Sequence, residues 1–274
     1  HYLLWHIYLD ISLKRKPKGK MHNMRFEKYH GLGNDFLITE DLSIIDNSDL
    51  IKSICDRYTG IGADGLIVVK KDPLEMVFYN QDGSRGEMCG NGIRCFSYYC
   101  YNHNLIEKNE FDCHTLDGVK HLEIKSINPF VVKVKMGKMI DKVEELDIEF
   151  NNKKYRVYSL NFGVPHIVIY TNELVTEQLG NYLSNHEYFP NKTNVNFVTV
   201  NDNKNIKITT YERGVGFTKA CGTGSCSSVI VSRILNLVSD EVEVHQSLGS
   251  LLITIENEEI YMEGKSVKVG EIIL

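Results

Sequence analysis

The sequence predicts a mixed α/β (α+β) protein built from two similar halves. Three observations predict this class. Short strand-like runs, broken by Gly, Asn and Asp, alternate with a few helical segments. The motif Cys-Gly-x-Gly occurs twice, in "MCGNGIRC" (88–95) and "ACGTGSC" (220–226), each time ahead of an apolar, helix-like run. Each half then repeats one texture: strands, the Cys-Gly-x-Gly motif, a buried helix, more strands. Identity between the halves is slight outside the motif, so a duplicated fold rests on that texture.

In the first half, "LIVVK" (66–70) and "MVFYN" (76–80) read as strands, with "DPLE" as the turn between them. "DLIKSICDRY" (49–58) and "CFSYYCYNHN" (95–104) read as helices, and "VVKVKMG" (131–137) as a strand of alternating apolar and basic residues. In the second half, "HIVIY" (166–170), "NFVTV" (196–200) and "IKITTYER" (206–213) are strands, and "ELVTEQLGNYLSNH" (173–186) is an amphipathic helix. "SSVIVSRILNLV" (227–238) is apolar on too many faces to be exposed and reads as a buried helix. "EVEVH", "SLLITIE" and "SVKVGEIIL" (266–274) close the chain as strands. No low-complexity linker interrupts it. The expected division is 24–137 and 138–265, with a boundary near Gly137.

Residues 1–23 stand apart. The apolar "HYLLWHIYLDISL" precedes the basic "KRKPKGK", the reverse of a secretory signal. The segment is expected to be an extension outside the fold, with a transient amphipathic anchor as the functional alternative. With 274 residues, 42% apolar and 24% charged, the chain can bury a substantial core. A net charge of −5 argues against a nucleic-acid-binding face, and no apolar run is long enough to span a membrane. Seven cysteines, an odd number, favour free thiols and a reducing, cytoplasmic setting over a disulfide framework.

The cysteines admit bland readings. Cys55, Cys95, Cys100 and Cys113 read as small buried hydrophobes. Zinc would need pairs such as Cys95/Cys100 and Cys221/Cys226 together with a knuckle or a His pair, which the sequence lacks. Neither motif matches a phosphate-binding loop. The functional reading starts from position. A cysteine just before Gly-x-Gly, where a helix begins, meets the field of free helix N–H groups, which favours thiolate. The glycines let the backbone approach a ligand, and the same N–H groups can hold a carboxylate. Two such thiols on opposite sides of one carbon can invert a stereocentre. One removes the α-proton as thiolate and the other returns a proton as thiol, while helix N-termini stabilise charge building on the carboxylate. No cofactor and no metal are needed.

Five ordered blocks carry a resemblance: "KYHGLGNDF" (28–36), "GIGADG" (60–65), "YNQDGSRGEMCGNGIRC" (79–95), "TNVNF" (193–197) and "YERGVGFTKACGTGSC" (211–226). From Met24 to Leu274 the chain resembles the diaminopimelate epimerases, cofactor-independent two-cysteine isomerases. The related proline racemases typically carry His after Met-Cys-Gly, where this chain has Asn91. The resemblance implies two pseudo-symmetric domains, each a set of strands wrapped around a central helix. It also implies an active site in the cleft between them and a final strand, 266–274, that returns to the first domain. Cys89 and Cys221 would be the acid/base pair. Gly90, Asn91, Gly222 and Thr223 would offer backbone N–H groups to the substrate carboxylate, and Asn34 would touch the substrate near the reacting centre. Asn80, Asn194, Glu212 and Arg213 would hold its polar groups. Outside these blocks the three asparagines would read as turn residues and the Glu–Arg pair as a salt bridge. His30 and His166 read as structural.

Three departures from the family pattern concern the substrate. "GVPH" puts Val164 where an amide is usual, "GFT" puts Phe217 where a carboxylate is usual, and Gly65 stands where some members have Gln. Diaminopimelate by family default is therefore weighed against a racemase for another free amino acid, such as histidine. A non-catalytic amino-acid-binding module is the third reading. The partners expected are a small amino acid and a second copy in a homodimer, with no nucleic acid and no membrane. Domain closure on substrate and a disulfide between the two thiols in air are further expectations.

Overall fold

The computed structural model describes residues 24–140 and 142–274. The extension expected at 1–23 lies outside the described residues. The chain divides into two compact units. One comprises the residues up to Val132 together with Lys265–Leu274, and the other runs from Lys133 to Gly264.

The first unit contains β1 (Arg25–Gly31), β2 (Asn34–Thr39), α1 (Ser48–Cys55), β3 (Gly65–Lys71), β4 (Leu74–Asn80), α2 (Gly90–Asn102), β5 (Glu110–Thr115), β6 (Gly118–Ile127) and the start of β7 (Phe130–Lys138). The second holds β8 (Glu144–Phe150), β9 (Lys153–Phe162), β10 (Val164–Tyr170), α3 (Glu177–Ser184), β11 (Asn194–Asp202), β12 (Asn205–Glu212), β13 (Gly216–Thr218), α4 (Gly222–Ile234), β14 (Glu241–Gln246), β15 (Gly249–Glu256) and β16 (Glu259–Lys265). The last strand, β17 (Val267–Ile273), pairs antiparallel with β1 in the first unit.

Strand pairing repeats between the units. In the first, β17–β1 and β1–β2 are antiparallel, β2–β3 parallel, β3–β4 antiparallel, β4–β5 parallel and β5–β6 antiparallel. In the second, the series β8–β9, β9–β10, β10–β11, β11–β12, β12–β14 and β14–β15 runs through the same senses in the same order. A parallel pair cannot be joined by a hairpin and needs a crossover. Helices supply it at equivalent places: α1 and α3 in the first crossover, α2 and α4 in the second.

The two crossover helices of the second kind are the cores of their units. Helix α2 packs against β1, β2, β3, β4 and β17, and α4 against β9, β10, β11, β12, β14 and β15. Ile93, Cys95, Phe96 and Cys100 of α2 and Cys226, Val229, Ile230 and Val231 of α4 are buried. Burying each larger apolar side chain contributes roughly 1.5–3 kcal/mol. The serines that share these faces donate back to carbonyls four residues earlier: Ser97 to Ile93, Ser225 to Cys221, Ser228 to Gly224 and Ser232 to Ser228. No uncompensated hydroxyl cost arises at those four positions, so a polar residue is tolerated inside the unit.

Helix limits are where the structure departs most from the sequence reading. Helices α2 and α4 begin at Gly90 and Gly222, earlier than apolar periodicity alone indicates, because the glycines themselves form the first turn. Helix α3 begins only at Glu177, where the Thr176 hydroxyl caps Leu179 N–H at 3.2 Å and leaves Leu174 exposed. Helix α1 stops at Cys55, and Asp56 instead caps the following turn through the N–H groups of Tyr58 and Thr59. "GLGN" is a two-residue hairpin. Leu32 and Gly33 both have positive φ, and Gly31 pairs directly with Asn34, joining β1 to β2.

Candidate active site

Each unit presents a cysteine at the same structural position. Cys89 is the N-cap of α2, with φ −134° and ψ 119°; Cys221 is the N-cap of α4, with φ −130° and ψ 115°. Both helices are 13 residues long. The Cys89 Sγ accepts from Gly92 N–H at 3.5 Å, and the Cys221 Sγ from Gly224 N–H at 3.3 Å. A sulfur thus fills the place usually taken by a Ser or Asp oxygen, within the field of the helix N-terminus. The residues that follow, Gly90 and Asn91 or Gly222 and Thr223, form the first helical turn, the part of a helix whose amides point out along its axis.

The second glycine of each motif is set by packing. A Cβ on Gly224 would lie 2.4 Å from the Asn196 Oδ1, and one on Gly92 would lie 3.3 Å from both the Cys89 Cβ and the Ile67 Cδ1. The close approach that demands glycine here is to the unit's own side chains, in addition to any ligand.

In the first unit, Asn34 opens β2 beside Cys89. Its Nδ2 donates to the Asp64 Oδ2 at 2.8 Å, which turns its Oδ1 toward the helix. That oxygen accepts from the Asn91 Nδ2 at 3.1 Å and from the Cys89 thiol at 3.8 Å. Behind Asn91 lies Arg94, fully buried, donating to the Asn91 Oδ1 and to the Gly90 carbonyl, each at 2.8 Å. A Cβ on Gly31 would lie 2.9 Å from the Arg94 Nη2, so that glycine makes room for the guanidinium. Asp64 is held by Arg57, which also pairs with Asp35; Lys28 completes the Asp35 site at 2.8 Å. Burial works to raise the Asp35 pKa, but hydrogen bonds from Arg57 and Lys28 overcome it and hold the carboxyl down at about 2. Cys89, Gly90, Asn91 and Asn34 are thus brought together. Asn80, which ends β4, is exposed, and its amide donates to the Ser84 hydroxyl at 3.0 Å in a turn.

In the second unit a hydrogen-bonded chain leads to Cys221. Thr223 Oγ1 lies 3.7 Å from the Cys221 Sγ and 3.0 Å from the His166 Nε2. The His166 Nδ1 lies 3.0 Å from the Asn196 Nδ2, and Asn196 also donates to the Ile167 carbonyl and accepts from the Thr210 hydroxyl. His166 is completely buried; burial, with the charge of Arg213 adding to it, pushes its pKa down to about 3. Asn194 opens β11 opposite His166 and accepts from Arg213 N–H at 3.0 Å. The Arg213 guanidinium donates to the Asn191 carbonyl, and Glu212 accepts from the Thr218 hydroxyl. Glu212 ends β12 as Asn80 ends β4, so these two expected site residues hold equivalent places.

Phe217 does not stand open. It packs edge-on to Tyr211 at 5.3 Å and tilted to Phe197 at 6.4 Å, against the second unit's core. Four of the other five thiols are quiet. Burial pushes Cys55, Cys95 and Cys113 up to about 12 and Cys100 well above its ordinary value. Among the described residues no group of three or more His, Cys, Asp or Glu is placed to hold a metal ion. No helix among them is long and apolar enough to cross a membrane. A groove of about 670 Å³ on the second unit, lined by Lys153, Tyr158, Tyr170 and Val198 among others, contains none of the expected site residues.

Sequence reasoning missed Asp64, Arg94, Asn196 and Thr210 as supporting residues. Asp64 lay inside a recognised block, and Arg94 sits four residues on from Gly90 on the helix; both could have been asked what they orient. Asn196 likewise lay inside a recognised block, "TNVNF", whereas Thr210 carries no such signal.

Repeated strand order, paired N-cap cysteines and polar side chains gathered around both helix starts define the class: a two-unit α/β protein with a cysteine capping the central helix of each unit. The diaminopimelate epimerase family model matches residues 26–140 and 158–269, one stretch in each half. The chain is 39% identical to diaminopimelate epimerase of Caldanaerobacter subterraneus subsp. tengcongensis, over 91% of this chain and 99% of that one. It is likewise 39% identical to the Clostridium perfringens enzyme of the same name, over 89% and 96%. The chain belongs to the diaminopimelate epimerase family. Among solved structures, the fold is similar to that of a hydroxyproline epimerase from Agrobacterium vitis, with TM-score 0.72, 12% identity and coverage of 92% and 91%. It is also similar to a Bacillus anthracis phenazine biosynthesis protein of the PhzF family, with TM-score 0.69, 13% identity and coverage of 93% and 99%.

Proposed function

We propose that the protein is a diaminopimelate epimerase that inverts one α-carbon of its substrate by a two-base thiol/thiolate mechanism, with Cys89 and Cys221 as the pair. The observation that carries this reading is the matched N-cap geometry of the two cysteines, inside a family whose curated relatives bear that name. One sulfur takes the α-proton as thiolate, breaking C–H and forming S–H. The other, as thiol, gives its proton to the opposite face, so the total number of thiol protons is unchanged. The carbanion's charge is delocalised onto the carboxylate, where the first-turn amides of Gly90, Asn91, Gly222 and Thr223 are the donors proposed to stabilise it. Asn34 borders the reacting centre, while Asn80, Asn194, Glu212 and Arg213 hold the substrate's charged ends. The chemistry draws on no cofactor. The free thiols suit a reducing compartment, so we assign the cytoplasm, and a homodimer is the assembly proposed.

A racemase of another free amino acid, such as histidine, drew its support from Val164 and Phe217. The Phe217 ring is engaged with Tyr211 and Phe197, which accounts for an aromatic there without a flat substrate. Diaminopimelate is therefore the substrate we assign. The test is a panel of free amino acids, including LL-diaminopimelate and L-histidine, incubated with the enzyme in D₂O and followed by mass spectrometry. Deuterium is expected at the α-carbon of diaminopimelate. Exchange into histidine with none into diaminopimelate would overturn the assignment.

A further inference from the structure

The two cysteines share a cap geometry but face opposite hydrogen-bonding partners, and this asymmetry rests on the two-base reading above. We propose that, in the ligand-free enzyme, Cys221 is the resting thiolate and Cys89 the resting thiol, set by a relay from Asn196 through His166 to Thr223 on one side and by Asn34 on the other.

The relay can be followed proton by proton. A carbonyl only accepts, so the 3.0 Å contact with Ile167 O fixes the nitrogen end of the Asn196 amide, and the Thr210 hydroxyl at 3.0 Å is left to donate to its oxygen. The same Asn196 nitrogen, 3.0 Å from the His166 Nδ1, then donates its second proton there. His166 is held as the neutral tautomer with its proton on Nε2, and burial keeps it neutral. That Nε2–H donates to the Thr223 Oγ1 at 3.0 Å. One acceptor lone pair of Oγ1 is used by the histidine, and we assign the threonine O–H to the Cys221 Sγ, which lies 3.7 Å away. The sulfur then receives two donors from its own unit, Gly224 N–H and Thr223 O–H, an arrangement that favours a negative charge. Arg213 adds positive charge on the same side, felt at His166. The carboxylate of the neighbouring Glu212 is engaged by the Thr218 hydroxyl.

At Cys89 the logic is reversed. Asn34 is oriented by the carboxylate of Asp64, which takes its Nδ2 proton. Its Oδ1 accepts from the Asn91 Nδ2 at 3.1 Å, and its second lone pair faces the Cys89 Sγ at 3.8 Å, where it can accept a thiol proton but offers no donor to a thiolate. Behind it stand the carboxylates of Asp64 and Asp35, countered by Arg57 and Lys28. Cys221 accordingly takes the α-proton in the first turnover from the resting state. Cys89 gives up its own proton, and the enzyme is left as Cys89 thiolate and Cys221 thiol. Thr223, His166, Asn196 and Asn34 act on that balance as positioning residues.

The test is the ultraviolet thiolate band of the ligand-free protein at neutral pH, read in Cys89→Ala and in Cys221→Ala. The band is expected to survive Cys89→Ala and to disappear in Cys221→Ala; the reverse pattern would overturn the assignment. Thr223→Val, which keeps shape and removes the hydroxyl, is expected to lower the thiolate population at Cys221 about tenfold, and Thr223→Ser to restore it. An unchanged band in Thr223→Val would sink the relay. Deuterium exchange into diaminopimelate by the unmodified enzyme is measured alongside, and its absence would count against the function while leaving the ionisation result to be judged on its own.

Discussion

Cys89 and Cys221 cap their helices with backbone angles that differ by 4° in both φ and ψ, and each sulfur accepts from the amide three residues on. Two cysteines so placed are costly to explain as packing. A cysteine such as Cys95 or Cys100 sits further along the helix, fully buried, with burial raising its thiol pKa. Capping sulfurs at the starts of two equivalent helices instead lie against the first-turn amides, Gly92 N–H and Gly224 N–H.

Gly224→Ala should damage the second half of the site selectively. The added methyl would sit 2.4 Å from the Asn196 Oδ1 and 3.1 Å from the Cys221 Sγ. Relief requires moving Asn196 or the cap, at a cost of roughly 1–3 kcal/mol in stability. Thermal unfolding should detect the loss, and the rate of epimerisation should fall further than that stability change explains. Wild-type turnover in a folded Gly224→Ala variant would contradict the packing described here.

His166 should make stability depend on pH. Its folded pKa, about 3, lies below the unfolded value of about 6.5, so between these limits the unfolded chain binds the extra proton. Its contribution is fully present above about pH 6.5 and is lost as pH falls toward 3, with a slope of about 1.4 kcal/mol per unit. Denaturant titrations from pH 7 to pH 4 should show this slope, and His166→Gln should flatten it. Imidazole nitrogen shifts should show protonated Nε2 and bare Nδ1 throughout the upper part of that range.

Asp35 acts in the same direction at lower pH. Its folded pKa of about 2 lies under the ordinary carboxylate value, so the stability it confers is present above about pH 4 and drains away as pH falls through 2. Arg57 is half-exposed, and solvent screening reduces the pair's worth to about 1–2 kcal/mol. Asp35→Asn should remove that part of the acid transition. Because Arg57 also holds Asp64, Arg57→Ala should in addition loosen Asn34 and lower epimerisation, a split that activity and unfolding measurements can separate.

Much of this was legible in the sequence. Strands such as 66–70 and 206–213 announce themselves by apolar runs and alternation, and the doubled Cys-Gly-x-Gly marks both helix starts. The limits of α2 and α4 were not legible, since glycine disfavours a helix interior and only the capping cysteine reveals that the turn begins there. Strands β5, β8 and β9 were also missed: they carry charge on their exposed faces and bury few residues each. Asn196 sits on β11 inside the block "TNVNF", which marks it without saying what it orients, and Thr210 sits on β12 as an ordinary strand residue. Their part in orienting His166 depends on pairing between strands that are distant in sequence, which no local pattern encodes.

The central claim is that both sulfurs move protons, and epimerisation of LL-diaminopimelate by Cys89→Ala and by Cys221→Ala, each verified as folded, tests it most directly. Each single variant is predicted to lose epimerisation by at least about 10³-fold, since a displaced base cannot be replaced from the far side of the carbon. Retention of the unmodified rate in either variant would contradict the account.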